Sequence, residues 1–532
     1  MNSEIESFSE KYRALSPAEF FMKYKEIAGF NNPTRAMYQT IRELVENALD
    51  ATDSYGILPI IKIIIQNLSE ERKFYKITVE DNGIGLAPHV VPDAFGKLLF
   101  SSKYILRQTR GMYGLGVKVA VLYAQMTTGR PVEVTTSKPG LKFIYHFKLR
   151  INVNKNEPEV IERSTIRKNV DWNGTIVSLT IHGDWSRAKS KILEYIEKTA
   201  VVTPYASITL VTPENKIILY ERIIDKLPKP PREVKPHPYG VDLESLKQII
   251  STSKYSTIQD VLKHSFQSIG DLTSRKLLDL AGIKYNTDPR KLSEEDLLKL
   301  VEVMKKYDKY KPPKPDALSP FGSEIIIAGL NRMYSPEFVH AVTRKPRAYQ
   351  GHPFIVEAGI AYGGRVPISA QDKPVVLRYA NKIPLLYDEG DDVITAVVKD
   401  DIKWSNYLVN LPTNILVLVH VCSTKVPFSG VGKETIADVP EIRREIRLAI
   451  MENARRLKKY IARKKKEEEM KKKVINIAKY IPEIARSLAV ITHSDGLDKD
   501  IITNKLVEIL VAKTGLPLVE VKNAIESVEI GV

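Results

Sequence analysis

From Pro33 onward, Ile41, Leu44, Val45, Ala48 and Leu49 recur at the three- and four-residue spacing of one helical face. The period then changes. Residues 60–65 form a near-continuous apolar run and residues 74–79 partly alternate, as strands do. A glycine-rich stretch spans 96–116, and further strands are predicted at 131–136, 143–151 and 175–181. Helices alternating with strands and glycine loops point to α/β layers. Residues 226–238 (KLPKPPREVKPHP) are dense in Pro, which breaks helix and ladder alike, so they read as a linker. Residues 240–307 keep a helical period, with N-cap signals at 271–273 and 293–295. A second Pro/Lys linker follows at 311–320, and strands return at 354–361, 374–379, 393–398 and 415–421. Residues 442–486 form one long charged helical pattern, broken near its end by Pro482. The expected organisation is a polar strap at 1–32, an α/β domain at 33–228 and a helical insert at 239–310. A second α/β domain at 320–486 ends in the long helix, and a small C-terminal region occupies 487–532. No repeat at solenoid spacing accompanies this order.

Composition sharpens the picture. The chain has 532 residues, more than one hydrophobic core serves. Lys and Arg number 80 against 64 Asp and Glu, a net charge of +16. That excess favours a polyanionic partner, although a generally basic surface would read the same. The single cysteine, Cys422, excludes disulfides within the chain and multi-cysteine zinc sites, and fits a reducing compartment. The N-terminus has no apolar signal core. The most apolar stretches, 57–65 and 408–421, are too short to span a bilayer, and the second contains Pro412 and Asn414. A soluble, cytoplasmic protein without a membrane partner is expected.

Candidate chemistry lies in four pieces. Glu43, Glu46, Asn47 and Asp50 share one helical face. Three acids there repel one another, and alone they read as a solvated surface. They also suit a ligand. Glu43 and Asn47 stand one turn apart, a carboxylate accepts a proton from water, and an amide oxygen completes the shell of Mg2+ when phosphates supply the rest. Next, a strand pattern ends in Asp81–Asn82–Gly83–Ile84–Gly85. Asn-Gly often turns a hairpin, but the residues that follow, LAPHVVPDAFGKLL, do not resume a strand. Asp81 could accept from an exocyclic amine such as adenine N6, and Gly83 and Gly85 would let a flat ring approach the backbone. Third, Gly111, Gly114 and Gly116 lead into Val117–Lys118–Val119–Ala120, the start of a helical run. Such a turn offers N–H groups and a positive dipole end to phosphates. Its glycines lack the spacing and setting of a dinucleotide fingerprint. Last, Asn173–Gly174–Thr175 precedes a strand and says nothing alone.

In this order the four pieces resemble the ATPase superfamily of gyrase, heat-shock-protein-90-type chaperones, MutL and histidine kinases, the Bergerat fold. Glu43 and Asn47 match its first box, Asp81 to Gly85 the second, Gly111 to Lys118 the third and Thr175 the fourth. Five segments are similar to the archaeal B subunits of DNA topoisomerase VI: YQTIRELVENALDAT, GKLLFSSKY, RGMYGLGVKVAVLYAQMTTGRP, RYANKIPLLYDEGDDVIT and VPFSGVGKETIADVPEI. The likeness covers nearly the whole chain up to the long helix. It implies an α+β multidomain protein. An α/β sandwich ATPase domain is followed by a helix–two-turn–helix insert and by a transducer domain, ribosomal S5-like, that ends in the long helix. It implies ATP and Mg2+ as cofactors. Glu43 would be the general base, Asn47 the metal ligand and Asp81 the reader of adenine, with Gly83, Gly85 and Thr175 also in the ATP site. Ser102, Lys103, Gly111, Met112, Tyr113, Gly114, Leu115, Gly116, Val117 and Lys118 would form the lid around the triphosphate. Phosphoryl transfer of this kind rests on positioning and electrostatics.

The segment SGVGKET superficially resembles a P-loop, but Pro427 stands where its first Gly belongs and Glu434 replaces Ser or Thr. Read from the residues alone, Lys433 is a surface lysine in a loop. The family resemblance makes it a catalytic lysine of the second α/β domain that reaches the γ-phosphate, with Lys425 as its competitor. The run RRLKKYIARKKKEEEMKKK reads as a solvated helix with pairs such as Arg463–Glu467. As partners the resemblance implies the topoisomerase VI A subunit in an A2B2 heterotetramer, double-stranded DNA, and a self-dimer formed on ATP binding. The implied function is an ATP-driven clamp for double-strand passage that relaxes supercoiled DNA, with cleavage by the A subunit. The competing expectation is a chaperone-like clamp acting on protein clients.

Overall fold

The computed structural model describes residues 14–111, 114–430, 434–491, 499–515 and 517–529. They fall into two compact units, Met1–Lys403 with Leu411–Asn453, and Trp404–Asn410 with Ala454–Val532.

The first unit opens with α1 (Pro17–Lys23), capped by Ser16, whose Oγ accepts the Glu19 N–H at 3.0 Å. Ala18 in α1 is fully buried, so the polar N-terminal stretch contributes to the core. Helix α2 (Pro33–Thr52) has Asn32 as its cap and Pro33 at its first position, both favoured helix starts. Strands β1 (Ile60–Ser69) and β2 (Phe74–Asp81) pair antiparallel. The short helix α3 (Val91–Gly96) and α4 (Gly116–Thr128) flank the glycine-rich stretch. Then come β3 (Val132–Ser137), β4 (Phe143–Asn152), β5 (Glu157–Arg167), β6 (Gly174–His182), α5 (Trp185–Val202), β7 (Ser207–Val211) and β8 (Ile217–Tyr220). All eight strands form one sheet in the order β5-β4-β3-β6-β2-β1-β7-β8. Every second residue of β2 is buried, so one sheet face is packed, and α2 and α4 pack on it and on each other, with α5 against α2.

Between the sheets in chain order stands a helical insert of α6 (Leu243–Thr252), α7 (Ile258–Ser265), α8 (Asp271–Ala281) and α9 (Glu294–Lys306). It has its own core, including Leu246, Leu262, Leu278 and Leu300. Ser293 caps α9 reciprocally with Asp296. The cap of α8 is Gly270, one residue before the position expected from sequence. The two Pro/Lys stretches lie side by side, with Arg232 N–H donating to Asp316 O at 2.8 Å.

The second α/β region contains α10 (Ser323–Tyr334), β9 (Phe338–Thr343), β10 (Arg347–Tyr349), β11 (His352–Tyr362), β12 (Val375–Ala380), β13 (Ile383–Pro384), α11 (Val393–Ala396) and β14 (Ile415–Ser423). Its six-stranded sheet runs β10-β11-β14-β12-β13, with β9 also on β11. All of β14 is buried, which accounts for its unbroken apolar sequence. The strand expected at 393–398 is instead α11 followed by a π-turn. A fully buried apolar run carries no period that separates helix from strand. Here Asp392 accepts the Ile394 N–H at 2.9 Å and starts a helix. Helix α12 (Pro440–Lys479) begins on this sheet, where Asn453 Nδ2 donates to Ala358 O at 3.0 Å.

The second unit holds the later turns of α12, then α13 (Ile481–Ile491), α14 (Lys499–Thr514) and α15 (Leu518–Glu529). Ala478, Ile481, Val507 and Val521 form its small core. Pro482 sits in the first turn of α13, where a proline is tolerated, and the long helix stops just before it. Among the described residues no helix is long and apolar enough to cross a membrane.

Candidate nucleotide-binding site

A cavity of about 740 Å³ lies over α2 in the first unit. Half-buried Glu43, Asn47 and Asp50 line it. The crowding of acids on this face is relieved by two different means. Glu46 is buried and paired with Arg42 at 2.7 Å, and Arg42 also holds Glu434 at 2.8 Å. Burial pushes the Glu46 carboxyl up against the pull of Arg42. Asp50 is held by Lys103 and Arg110, each at 3.0 Å. Lys103 Nζ also donates to Asn47 Oδ1 at 2.9 Å. The Glu43 carboxylate lies against the glycine-rich turn, where a Cβ on Gly116 would overlap it.

Asp81 ends β2 inside the same cavity. Its Oδ1 accepts the Gly83 N–H at 2.8 Å, and burial pushes its carboxyl up to about 7. The turn after it is not a hairpin. Asn82 ties back to β1 through the Ile60 N–H, and Ile84 N–H donates to Ala51 O at the end of α2. Gly85 adopts φ +61°, and a Cβ there would overlap the Ser137 carbonyl. Thr175 stands opposite Asp81 in the sheet, and the neighbouring Asn173 amide donates to Gly83 O at 2.8 Å. Thus the second and fourth sequence pieces, about ninety residues apart, meet at one strand end. Thr136, which sequence reasoning missed, accepts the Leu86 N–H and donates to Gly174 O, binding both pieces from β3.

The glycine-rich piece closes a third side. Gly111, Gly114, Leu115, Gly116, Val117, Ser102 and Lys103 all line the cavity. Lys118 Nζ donates to Phe100 O at 2.7 Å and Gly114 O at 2.8 Å, so it braces both arms of the loop. Burial, aided by the Lys103 charge, pushes this lysine down to about 8. The same loop is fastened from outside. Gln108 is buried and makes three bonds to the backbone of Ala317 and Ser319, while Val234 N–H donates to Leu106 O. Met112, Tyr113 and Lys433 lie outside the described residues. Lys425 is exposed and is not among the cavity-lining residues. Because Gly116 abuts the Glu43 carboxylate, Gly116→Ala should displace that side chain. ATP hydrolysis should fall at least about tenfold, a loss of about 1.4 kcal/mol in barrier terms, while circular dichroism keeps the wild-type helical signal.

Sequence reasoning also missed Asp53, Arg110, Tyr205 and Lys382. Asp53 is completely enclosed and receives Arg110 Nη2 at 2.6 Å and the Tyr205 hydroxyl at 3.0 Å. Burial alone would raise its carboxyl, but Arg110 and Lys382 overcome this and hold it well below the usual range. The one local signal was a second acid one turn after Asp50, near the end of α2.

Two protein-family models match the chain. Residues 32–151 match the histidine kinase-, DNA gyrase B- and HSP90-like ATPase, and residues 313–473 match the topoisomerase VI B subunit transducer. The B subunit of the type 2 DNA topoisomerase 6 of Sulfurisphaera tokodaii is 55% identical over 483 residues, 90% of each chain. The chain belongs to the family of type 2 DNA topoisomerase 6 B subunits. Its relatives include the corresponding protein of Metallosphaera sedula, 52% identical over 96% of this chain and 97% of that one. That of Saccharolobus solfataricus is 52% identical over 92% of each. The cavity lies largely in the part of this family member that matches the ATPase model, between α2 and the glycine-rich turn.

Proposed function

We propose that this chain is the ATP-binding and ATP-hydrolysing subunit of a type IIB DNA topoisomerase. One observation carries the reading. Glu43, Asn47, Asp81, Gly116 and Thr175, scattered through the sequence, line one cavity in a chain of this family. Glu43 acts as general base on the attacking water, since Glu46 and Asp50 are already committed to cations. Asp81 accepts from the adenine amine, and the turn from Gly111 to Lys118 holds the phosphates. Asn47 suits Mg2+. Its amide oxygen faces the cavity and already accepts a cationic donor, Lys103 Nζ. Bound there, Mg2+ would gather phosphate oxygens and neutralise their charge.

Lys433, in the second α/β domain, is the lysine assigned to the γ-phosphate. In support, Glu434, the next residue, is fixed to Arg42, the residue before Glu43. The regions divide as strap (1–32), ATPase domain (33–228), helix–two-turn–helix insert (239–310), transducer (320–486) and tail (487–532). In the cytoplasm the chain works with an A subunit as A2B2. ATP closes two copies around a DNA segment, and the A subunit cuts the strand pair through which that segment passes. The chaperone alternative loses ground to relatives at 52–55% identity that are all named topoisomerase subunits.

The test is the oligomeric state of the full chain with a non-hydrolysable ATP analogue and Mg2+. Wild type should become dimeric on addition, and Asn47→Ala should remain monomeric at the same concentrations. A chain that stays monomeric throughout while binding the analogue would overturn the clamp.

A further inference from the structure

The cavity and the second sheet are joined by a chain of charged side chains, buried over most of its length. It begins at Lys103, held in the cavity by Asn47 Oδ1 at 2.9 Å and Asp50 Oδ2 at 3.0 Å. Asp50 Oδ1 accepts from Arg110 Nη1 at 3.0 Å. Arg110 then grips Asp53 with two bonds, at 3.0 and 2.6 Å. The Oδ2 that accepts Arg110 Nη2 also meets Lys382 Nζ, at 3.5 Å. Lys382 belongs to the other sheet. With Asn381 it forms the two-residue turn between β12 and β13, and its own N–H donates to His420 Nε2 on β14 at 3.0 Å.

Two features of Lys382 are costly and call for a cause. It is a buried ammonium, 6% exposed. It also adopts φ +72°, a left-handed backbone that asparagine tolerates and lysine does not favour. Yet its contact with Asp53, at 3.5 Å, is longer than an ordinary N–H···O hydrogen bond, while Arg110 holds the same carboxylate at 2.6 Å. Asp53 therefore has one tight cation and one loose one, and small changes at Arg110 can exchange them.

A nucleotide in the cavity would supply such a change. Its phosphates would attract Lys103 away from Asp50. Asp50 would then have Arg110 as its remaining cation and draw it closer, and as Arg110 loosened on Asp53, Lys382 would close the gap. We propose that Lys382 is a positioning residue that pulls the β12–β13 turn onto Asp53 when nucleotide takes Lys103 from Asp50. The proposal rests on the nucleotide reading of the cavity and adds to it a second route to the second sheet, separate from Lys433. Ile383, the first residue of β13 and next after the turn, lines the cavity, so the movement is delivered at the site itself.

The experiment follows hydrogen exchange of the Asn381, Lys382, Ile383 and Leu385 amides, in and just after the turn, in the full chain, with and without saturating non-hydrolysable ATP analogue and Mg2+. In wild type the analogue should slow exchange there at least about fivefold, the lower end of ordinary site-to-site coupling. Lys382→Met should bind the analogue with a Kd within about threefold of wild type but lose that slowing, and Lys382→Arg should restore it. With the A subunit present, Lys382→Met should lower kcat for supercoil relaxation at least about fivefold while KM for ATP stays within about threefold. Should Lys382→Met fold poorly, Asp50→Asn breaks the chain at its partly exposed end and should also abolish the slowing at saturation. Slowing preserved in Lys382→Met or Asp50→Asn overturns the relay. So does a wild type that binds analogue without protecting the turn. A wild type that binds no analogue overturns the nucleotide reading itself, which separates the two failures.

Discussion

Glu43→Gln should lower steady-state ATP hydrolysis by about 10²–10⁴, the usual worth of a positioned general base, while analogue affinity stays within about threefold. The size follows from what surrounds the residue. Glu46, one turn away, is locked to Arg42, and Asp50 is locked to Lys103 and Arg110. Neither carboxylate is free to replace the lost base. The amide keeps the shape of the carboxylate beside Gly116, so the glycine-rich turn is undisturbed. Binding and turnover should therefore separate, with Kd nearly constant and kcat collapsing. Hydrolysis within tenfold of wild type would assign the proton to another group.

Asp81→Ala should weaken ATP binding by about 10–100-fold, matching the roughly 1.5–3 kcal/mol of a hydrogen bond to a charged group. The discrimination of ATP against GTP should fall with it, because in the proposed reading the lost acceptor serves the exocyclic amine. Turnover at saturating ATP should change far less than affinity. Titration calorimetry with both nucleotides decides the matter, and equal losses for ATP and GTP would remove Asp81 from base recognition. The isosteric Asp81→Asn tests the same residue through pH. Burial raises the Asp81 carboxyl from the usual 3.8 to about 7. Between those values the folded state binds more protons than the unfolded state, so stability drains away as pH rises. The site's contribution is complete below about pH 4 and is lost as pH passes about 7, by at most ~4 kcal/mol. Denaturant titrations should show wild type losing stability relative to Asp81→Asn across that window.

The helical face of Glu43 and Asn47 was legible before folding, because helix geometry is local and fixes which residues stand one turn apart. The same held for strands with a period of two, such as β2, and for glycine turns that no other residue could make. Edge strand β5 was illegible, since nearly all its residues are exposed and no alternation marks it. Residues 393–398 were misread for the opposite reason, being buried at every position but Ala396. Helix α5 went unread although Ala188, Ile192, Tyr195 and Ile196 keep a helical spacing.

Which cations hold each acid of α2 was decided only in three dimensions. Glu43 and Glu46 are chemically alike and share a face, yet Glu46 is neutralised by an arginine that also holds Glu434, 392 residues further on. Asp53 receives Arg110 from 57 residues away and Lys382 from 329. Periodicity records the neighbours a residue has along its own helix or strand. The charges that decide whether a carboxylate is a free base, a buried ion pair or a link to another sheet arrive from distant segments, and their placement exists only in the folded chain.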